Sequence, residues 1–350
     1  MAIPDPFLQG IASGWQVQNA SLLENDLQLE ADVVIVGSGA GGATSAELLS
    51  AAGLRVLIVE EGPLRTSTDF KMQEPQAYAE LYQEGMGRMS KDGAITIMQG
   101  RAVGGTTLIN WTSSFRTPPE TLKHWASEHA VSGLDQARLQ PWFERMEQRL
   151  GVAPWSMPAN ANNDTLKRGC EALGLSWAVI PRNVRGCMNL GYCGMGCPIN
   201  AKQSMLVTCI AASLNKGGSL LYLARAAHLQ ITQDRVQHLE CHALDARGVE
   251  PTGRKIIIRA KHYILAGGGI NTPAILLRSQ APDPYKRCGK RTFLHLTNFS
   301  AAQFSEPVNP FYGAPQSIYS DHFQWIDGAT GAIGYKLEVP PLHPAFAATV

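Results

Sequence analysis

The run ADVVIV, Ala31 to Val36, passes straight into GSGAGG, and no other stretch restricts this chain so much. A β-branched run of that length reads as a buried strand. The glycines then fall as Gly37-x-Gly39-x-x-Gly42, and ATSAELLSAAG reads as a helix stopped by Gly53. Leu54 to Val59 (LRVLIV) is a second buried strand, ending at Glu60 and Glu61. Strand, glycine turn, helix, strand and acid follow one another at the spacing of a dinucleotide-binding βαβ unit. Each residue type has its own reason. Gly37 allows the tight turn, Gly39 lets backbone approach a pyrophosphate, and Gly42 lets the helix pack close to the strand. The helix N-terminus offers free N–H groups to phosphate. A carboxylate at the end of the second strand can accept from ribose hydroxyls. Neighbours on a strand face opposite ways, so only one acid can do so. Glu60 is the candidate, with Glu61 a solvated neighbour.

The glycine motif alone does not distinguish FAD from NAD. Two later stretches bear on the choice. GRAVGGTTLINWTSSFRTP, Gly100 to Pro118, is a Gly-Gly-Thr-Thr turn feeding Asn110, Trp111 and Thr112. Backbone N–H groups in such a turn can form an anion nest, and its hydroxyls can bond a heteroaromatic edge. YILAGGGINTPAILLRS, Tyr263 to Ser279, reads as a strand, a glycine turn and a helix capped by Asn271 or Thr272 with Pro273 in its first turn.

Taken together, VVIVGSGAGG, VLIVEEG, GRAVGGTTLIN and LAGGGINTPAILLRS resemble the glucose–methanol–choline (GMC) family of flavin oxidoreductases. The order and spacing match from about Asp32 to Ser279. The cysteine-rich segment and the text around LHPAF are similar to bacterial oxidases and dehydrogenases of long-chain or bulky alcohols. The resemblance implies an α/β fold, a Rossmann-like FAD-binding domain with the start of a truncated, sheet-based substrate domain. It implies FAD rather than NAD, oxidation of an alcohol CH–OH group with hydride passed to flavin N5, and an electron acceptor that is oxygen or a redox partner. Residue by residue, Gly37, Gly39 and Gly42 would hold the pyrophosphate and Glu60 the adenosine ribose. Gly104, Gly105, Thr106, Asn110 and Thr112 would lie along the flavin, and Gly267 and Gly268 near the adenosine half. Leu220 to Leu229 resembles the strand that edges the adenine, with no contact assigned. GRAVGGTTLIN holds no histidine, so non-covalent FAD is expected.

The family's proton-accepting histidine lies in a C-terminal region, and this sequence ends at LEVPPLHPAFAATV. None of its nine histidines sits in a matching context, so no catalytic residue is assigned. The expectation is an enzyme by family whose 350-residue chain is partial or inactive. The alternative is a non-catalytic, flavin-binding truncated paralogue. In linear terms the FAD-binding domain spans 1–305, with excursions at about 65–97 and 119–152, and an incomplete substrate-binding part covers 306–350. The second excursion reads as two amphipathic helices whose Trp125, Trp142 and Phe143 belong to the core. Asn160 to Gly174 and Ser204 to Gly217 read as further helices.

Net charge is +1 and the pI is about 7.6, which gives no electrostatic case for nucleic acid. No apolar run is long enough for a transmembrane segment, and the N-terminus has no secretory signature. Seven cysteines, unevenly spaced, do not form a disulfide framework, and a reducing cytoplasm is expected. Three of them crowd together in RGCMNLGYCGMGCPINAKQ as Cys187-x5-Cys193-x3-Cys197. They could be ligands of an iron–sulfur cluster, as in some flavoprotein sugar dehydrogenases resembling this family. They could bind zinc, or they could be small packed side chains. Ligand count favours packing, because cubane clusters ordinarily take four thiolates.

Overall fold

The computed structural model describes residues 4–295, 297–325 and 334–348. Among them the strands are, in chain order, β1 (Gln16–Asn19), β2 (Leu27–Val36), β3 (Val56–Glu60), β4 (Val152–Pro154), β5 (Ala178–Val179), β6 (Pro181–Asn183), β7 (Ser219–Tyr222), β8 (Ala224–Thr232), β9 (Arg235–Leu244), β10 (Pro251–Leu265), β11 (Ile318–Ser320) and β12 (Leu337–Glu338). The chain packs as two units, residues 1–109 with 204–301, and residues 110–203 with 302–350.

The first unit is built on a seven-stranded sheet of order β1-β7-β3-β2-β10-β9-β8. Its first five members run parallel. β9 and β8 complete it as an antiparallel meander. This is the Rossmann-like α/β arrangement that the opening βαβ pattern predicts. The end of β2, Val33 to Val36, reads as a continuous apolar run because a central parallel strand is covered on both faces there. Val34, Ile35 and Ile58 are fully buried, and all five residues of β3 are buried. Each such branched side chain contributes about 1.5–3 kcal/mol on burial. β2 and β3 are held in register by the pairs Val33↔Val56 to Val36↔Val59.

The helix Ala40–Ala51 follows β2 and packs through Ala43 and Ala46, both fully buried. Its close approach depends on Gly42. A Cβ there would stand 1.9 Å from the Gly37 carbonyl oxygen. The expected helix over 204–217 is present in two parts, a π-helical turn Leu206–Ile210 and an α-helix Ala211–Asn215. The helix after β10 starts earlier than Asn271 or Thr272 would set it. Gly267 occupies the cap and the helix runs Gly268–Arg278, so the glycines wind in ahead of Pro273.

The second unit carries helices Pro119–His129, Gln136–Leu150 and Ala161–Leu173. It also holds a three-stranded sheet, β12-β11-β5, and the pair β4-β6. The expected capped helix is confirmed in detail. Asn160 accepts from the Asn163 amide at 2.8 Å, and Gly174 closes the end in the left-handed region. The aromatic assignment is corrected: Trp142 is 58% exposed and Trp125 37%. Arg145 covers the Trp142 ring at 5.9 Å, so the amphipathic face of Gln136–Leu150 is screened by a cation instead of being buried.

Gly42→Ala should destabilise the protein by about 1–3 kcal/mol through overpacking. Gly41→Ala, whose Cβ would meet nothing within 4 Å, should be neutral. Urea unfolding of the two variants side by side checks this.

Candidate functional site

The carboxyl ends of β2, β3 and β10 converge. The Gly37 amide donates to Val59 O at 2.8 Å, and the Ala266 amide to Val36 O at 2.7 Å. At that edge Glu60, the last residue of β3, is 7% exposed. Its Oε2 accepts from the Ser38 amide (3.0 Å) and the Ser38 hydroxyl (2.6 Å). Its Oε1 accepts from the Gly62 amide at 2.8 Å. Ser38 Oγ in turn accepts from the Gly104 amide at 2.9 Å. One acid thus ties the first glycine loop, its own strand end and the Gly-Gly-Thr-Thr loop together. Burial pushes the Glu60 carboxyl up, and the Ser38 and Gly62 hydrogen bonds pull against that shift. Glu61 is no solvated bystander: it pairs with Arg101 at 2.8 Å and Arg225 at 3.5 Å.

The two glycine loops touch backbone to backbone. Gly105 sits at φ +56°, and a Cβ on it would come within 2.7 Å of Gly39 Cα. Gly39 caps the helix Ala40–Ala51 with no side chain to fill the cap, so the amides of the first turn stay open to an anion. Thr107 braces the second loop. Its hydroxyl donates to Gly104 O at 2.6 Å and accepts from the Met205 amide at 3.0 Å. Thr106 is exposed, and its Oγ1 accepts from the Gly100 amide at 3.1 Å. Gly267 and Gly268 start the helix after β10, beside Gly37. Gly37, Gly39, Gly42, Glu60, Gly104, Gly105 and Gly267 are therefore gathered at one edge of one sheet, where open α/β sheets take nucleotides. Ser38 and Thr107 complete the set. Neither has a spacing signal of its own.

Asn110 and Thr112 belong to the second unit, in a different setting. Thr112 is fully buried and held at φ 68°. Its Oγ1 accepts from Arg182 Nε at 2.8 Å. Lys202 Nζ donates to Asn110 O at 2.5 Å and Cys193 O at 3.0 Å. Both cations are buried, Arg182 at 1% exposure and Lys202 at 2%. Burial pushes the Lys202 amine down to about 7.

Cys187, Cys193 and Cys197 are free, partly buried thiols. Among the described residues no group of three or more His, Cys, Asp or Glu side chains is arranged to hold a metal ion. The iron–sulfur expectation finds no assembled ligand set. Arg182 Nη2 instead engages Cys193 Sγ at 3.4 Å, and burial pushes that thiol up despite Arg182 and Lys202. Cys209, the fourth thiol considered, is buried. No helix among the described residues is long and apolar enough to cross a membrane.

A sequence-family profile described as GMC oxidoreductase matches residues 78–297, and one described as an NAD(P)-binding Rossmann-like domain matches residues 35–64. A long-chain-alcohol oxidase of Arabidopsis thaliana is 30% identical over 295 residues, which is 83% of this chain and 39% of that protein. An uncharacterized GMC-type oxidoreductase of Sinorhizobium fredii is 34% identical over 289 residues, 82% of this chain and 56% of its own length. The chain spans about half the length of such relatives. Among solved structures, pyridoxine 4-oxidase from Mesorbium loti superposes with a TM-score of 0.52 at 20% identity, covering 71% of this chain and 52% of that one. That likeness concerns the fold.

Lys202 gives the protein a pH signature. Unfolded, the amine titrates near 10.5; folded, at about 7. Between these values the unfolded chain binds the extra proton, so stability rises with pH. From pH 7 to 8, below the ordinary thiol pKa of about 8.5, the gain should be about 1 kcal/mol. In Lys202→Met the rise should vanish, as urea midpoints across that range would report.

Proposed function

The chain belongs to the GMC oxidoreductase family, and from that premise we propose that it binds FAD non-covalently and oxidises an alcohol at its CH–OH group. The observation that carries the reading is the Glu60–Ser38–Gly104 hydrogen-bond chain, because it fixes the two glycine loops and the strand-end acid of a dinucleotide site relative to one another.

The residues fit the cofactor. A carboxylate offers about four acceptor positions, and Ser38 and Gly62 use three of those on Glu60. One remains, on Oε1, for a ribose hydroxyl. The uncapped first turn after Gly39 suits a diphosphate, and the bare Gly39–Gly105 contact leaves no side chain in its way. Gly267 and Gly268 would border the adenosine half, while Thr106, Asn110 and Thr112 would lie along the flavin. FAD, when bound, supplies a two-electron hydride acceptor. The chain's own residues would hold it and fix its ribose. The substrate class is carried by the relatives: long-chain-alcohol oxidases recur among them, and an alcohol with a long apolar chain is the substrate to try first. The electron acceptor is oxygen or a redox partner.

The absorption spectrum of the purified protein, before and after adding FAD, tests the cofactor. Flavin bands in the wild type, with FAD bound at least tenfold more weakly by Glu60→Leu, are expected. A colourless protein that FAD cannot restore would sink the reading. Anaerobic addition of a long-chain primary alcohol should then bleach the flavin bands. Bands that persist in alcohol would leave a flavin-binding protein without turnover.

A further inference from the structure

The chain between the two glycine motifs folds back on itself. Tyr82 pairs with Gly100 and Met89 with Thr96, both antiparallel, so residues 82–100 form an arm. Its root lies against the Gly-Gly-Thr-Thr loop, where a Cβ on Gly100 would stand 2.7 Å from Thr106 Cα. Arg88 sits on this arm with its side chain 14% exposed. Glu84 takes one side of the guanidinium, accepting from Nε at 3.0 Å and from Nη2 at 2.9 Å. Nη1 turns the other way and donates to Gln99 Oε1 at 2.9 Å and to Asn271 Oδ1 at 3.3 Å. Gln99 belongs to the arm and Asn271 to the helix Gly268–Arg278. All of them are part of the first unit.

A guanidinium has donors and no acceptor. Arg88 therefore holds both amides by their oxygens and turns both amino groups away from itself. Left alone, a side-chain amide can turn end for end and offer an acceptor instead; here the network fixes its sense. Among the described residues neither amino group has a hydrogen-bond partner. Both side chains lie at the glycine turn that leaves β10. A Cβ on Gly268 would be 3.5 Å from Gln99 Nε2, and one on Gly267 would be 3.4 Å from Asn271 Cβ. We propose that Gln99 and Asn271 are cofactor-binding residues that donate to acceptor atoms of the adenosine half, with Arg88 the positioning residue that orients them. The proposal rests on the reading that Gly267 and Gly268 border that half of FAD.

FAD titrations of the purified protein, read by flavin fluorescence, test this beside urea unfolding without added FAD. Gln99→Glu keeps the shape and gives Arg88 a stronger, charge-assisted partner, but it replaces the donor by an acceptor. Its urea midpoint should match or exceed that of wild type, with FAD bound about tenfold more weakly. Asn271→Asp should behave the same way, and it decides should Gln99→Glu fail to fold. Arg88→Met should weaken FAD about threefold. In the Gln99→Leu/Asn271→Leu background it should cost nothing further, since it acts only through those amides. FAD affinity within about twofold of wild type in a folded acid variant would overturn the proposal. So would an acid variant that loses stability and affinity together, because the amide would then be a structural tie. A further loss on adding Arg88→Met to the leucine pair would overturn the positioning role. A wild type that binds no FAD would instead remove the flavin reading beneath it.

Discussion

One buried carboxylate organises the first unit. Glu60 ends β3 under conditions that oppose its ionisation, and only the Ser38 and Gly62 donors make the position tenable. Through Ser38 it reaches Gly104, so loops separated by more than forty positions share one anchor. The close contacts of Gly37 with Ala266 and of Gly105 with Gly39 follow from that anchoring, as does the open first turn of Ala40–Ala51. A buried polar network of this kind is either complete or very costly. Here each donor that reaches Glu60 is a backbone amide or a short serine hydroxyl, groups that lose little freedom when fixed.

The second unit solves a harder electrostatic problem less completely. Arg182 and Lys202 are buried on carbonyls, a hydroxyl, a thiol and an indole face, all of them weaker partners for a cation than a carboxylate. The depressed Lys202 amine is the thermodynamic trace of that shortfall. Cys193, between the two cations, reads more naturally as part of this charge cluster than as a metal ligand.

The division explains what the sequence made legible. Constraints that act on backbone map onto residue type, so Gly37, Gly39, Gly42, Gly104 and Gly105 announce themselves, and the β-branched runs of β2 and β3 announce the sheet. Glu60 was visible by position, but its dual attachment to Ser38 and Gly62 was not, because a serine inside a glycine motif has no spacing that distinguishes it. Arg182 and Lys202 were invisible for a different reason. Neither carries a spacing signal: Arg182 sits in the short strand β6 and Lys202 in the segment before the π-helical turn, where a cation ordinarily faces water, and only tertiary packing put them inside. Trp142 misled in the opposite sense: the helical period gave it an apolar face, yet its ring stays 58% exposed with Arg145 over it. The helix start at Gly267 was displaced because capping propensity favours Asn271, whereas the glycine turn leaving β10 had already begun to wind.

Where Gly105 leans on Gly39, Gly42 on Gly37 and Gly62 on Ala102, the opposing atoms are main chain. A clash between two side chains can be relieved by shrinking the partner. A clash with a carbonyl or a Cα has no partner that can shrink, since every residue carries those atoms. Damage at these joints is therefore beyond repair by a second substitution across the contact. The region can tolerate drift in the side chains around it, but it inherits these few bare positions as a fixed set.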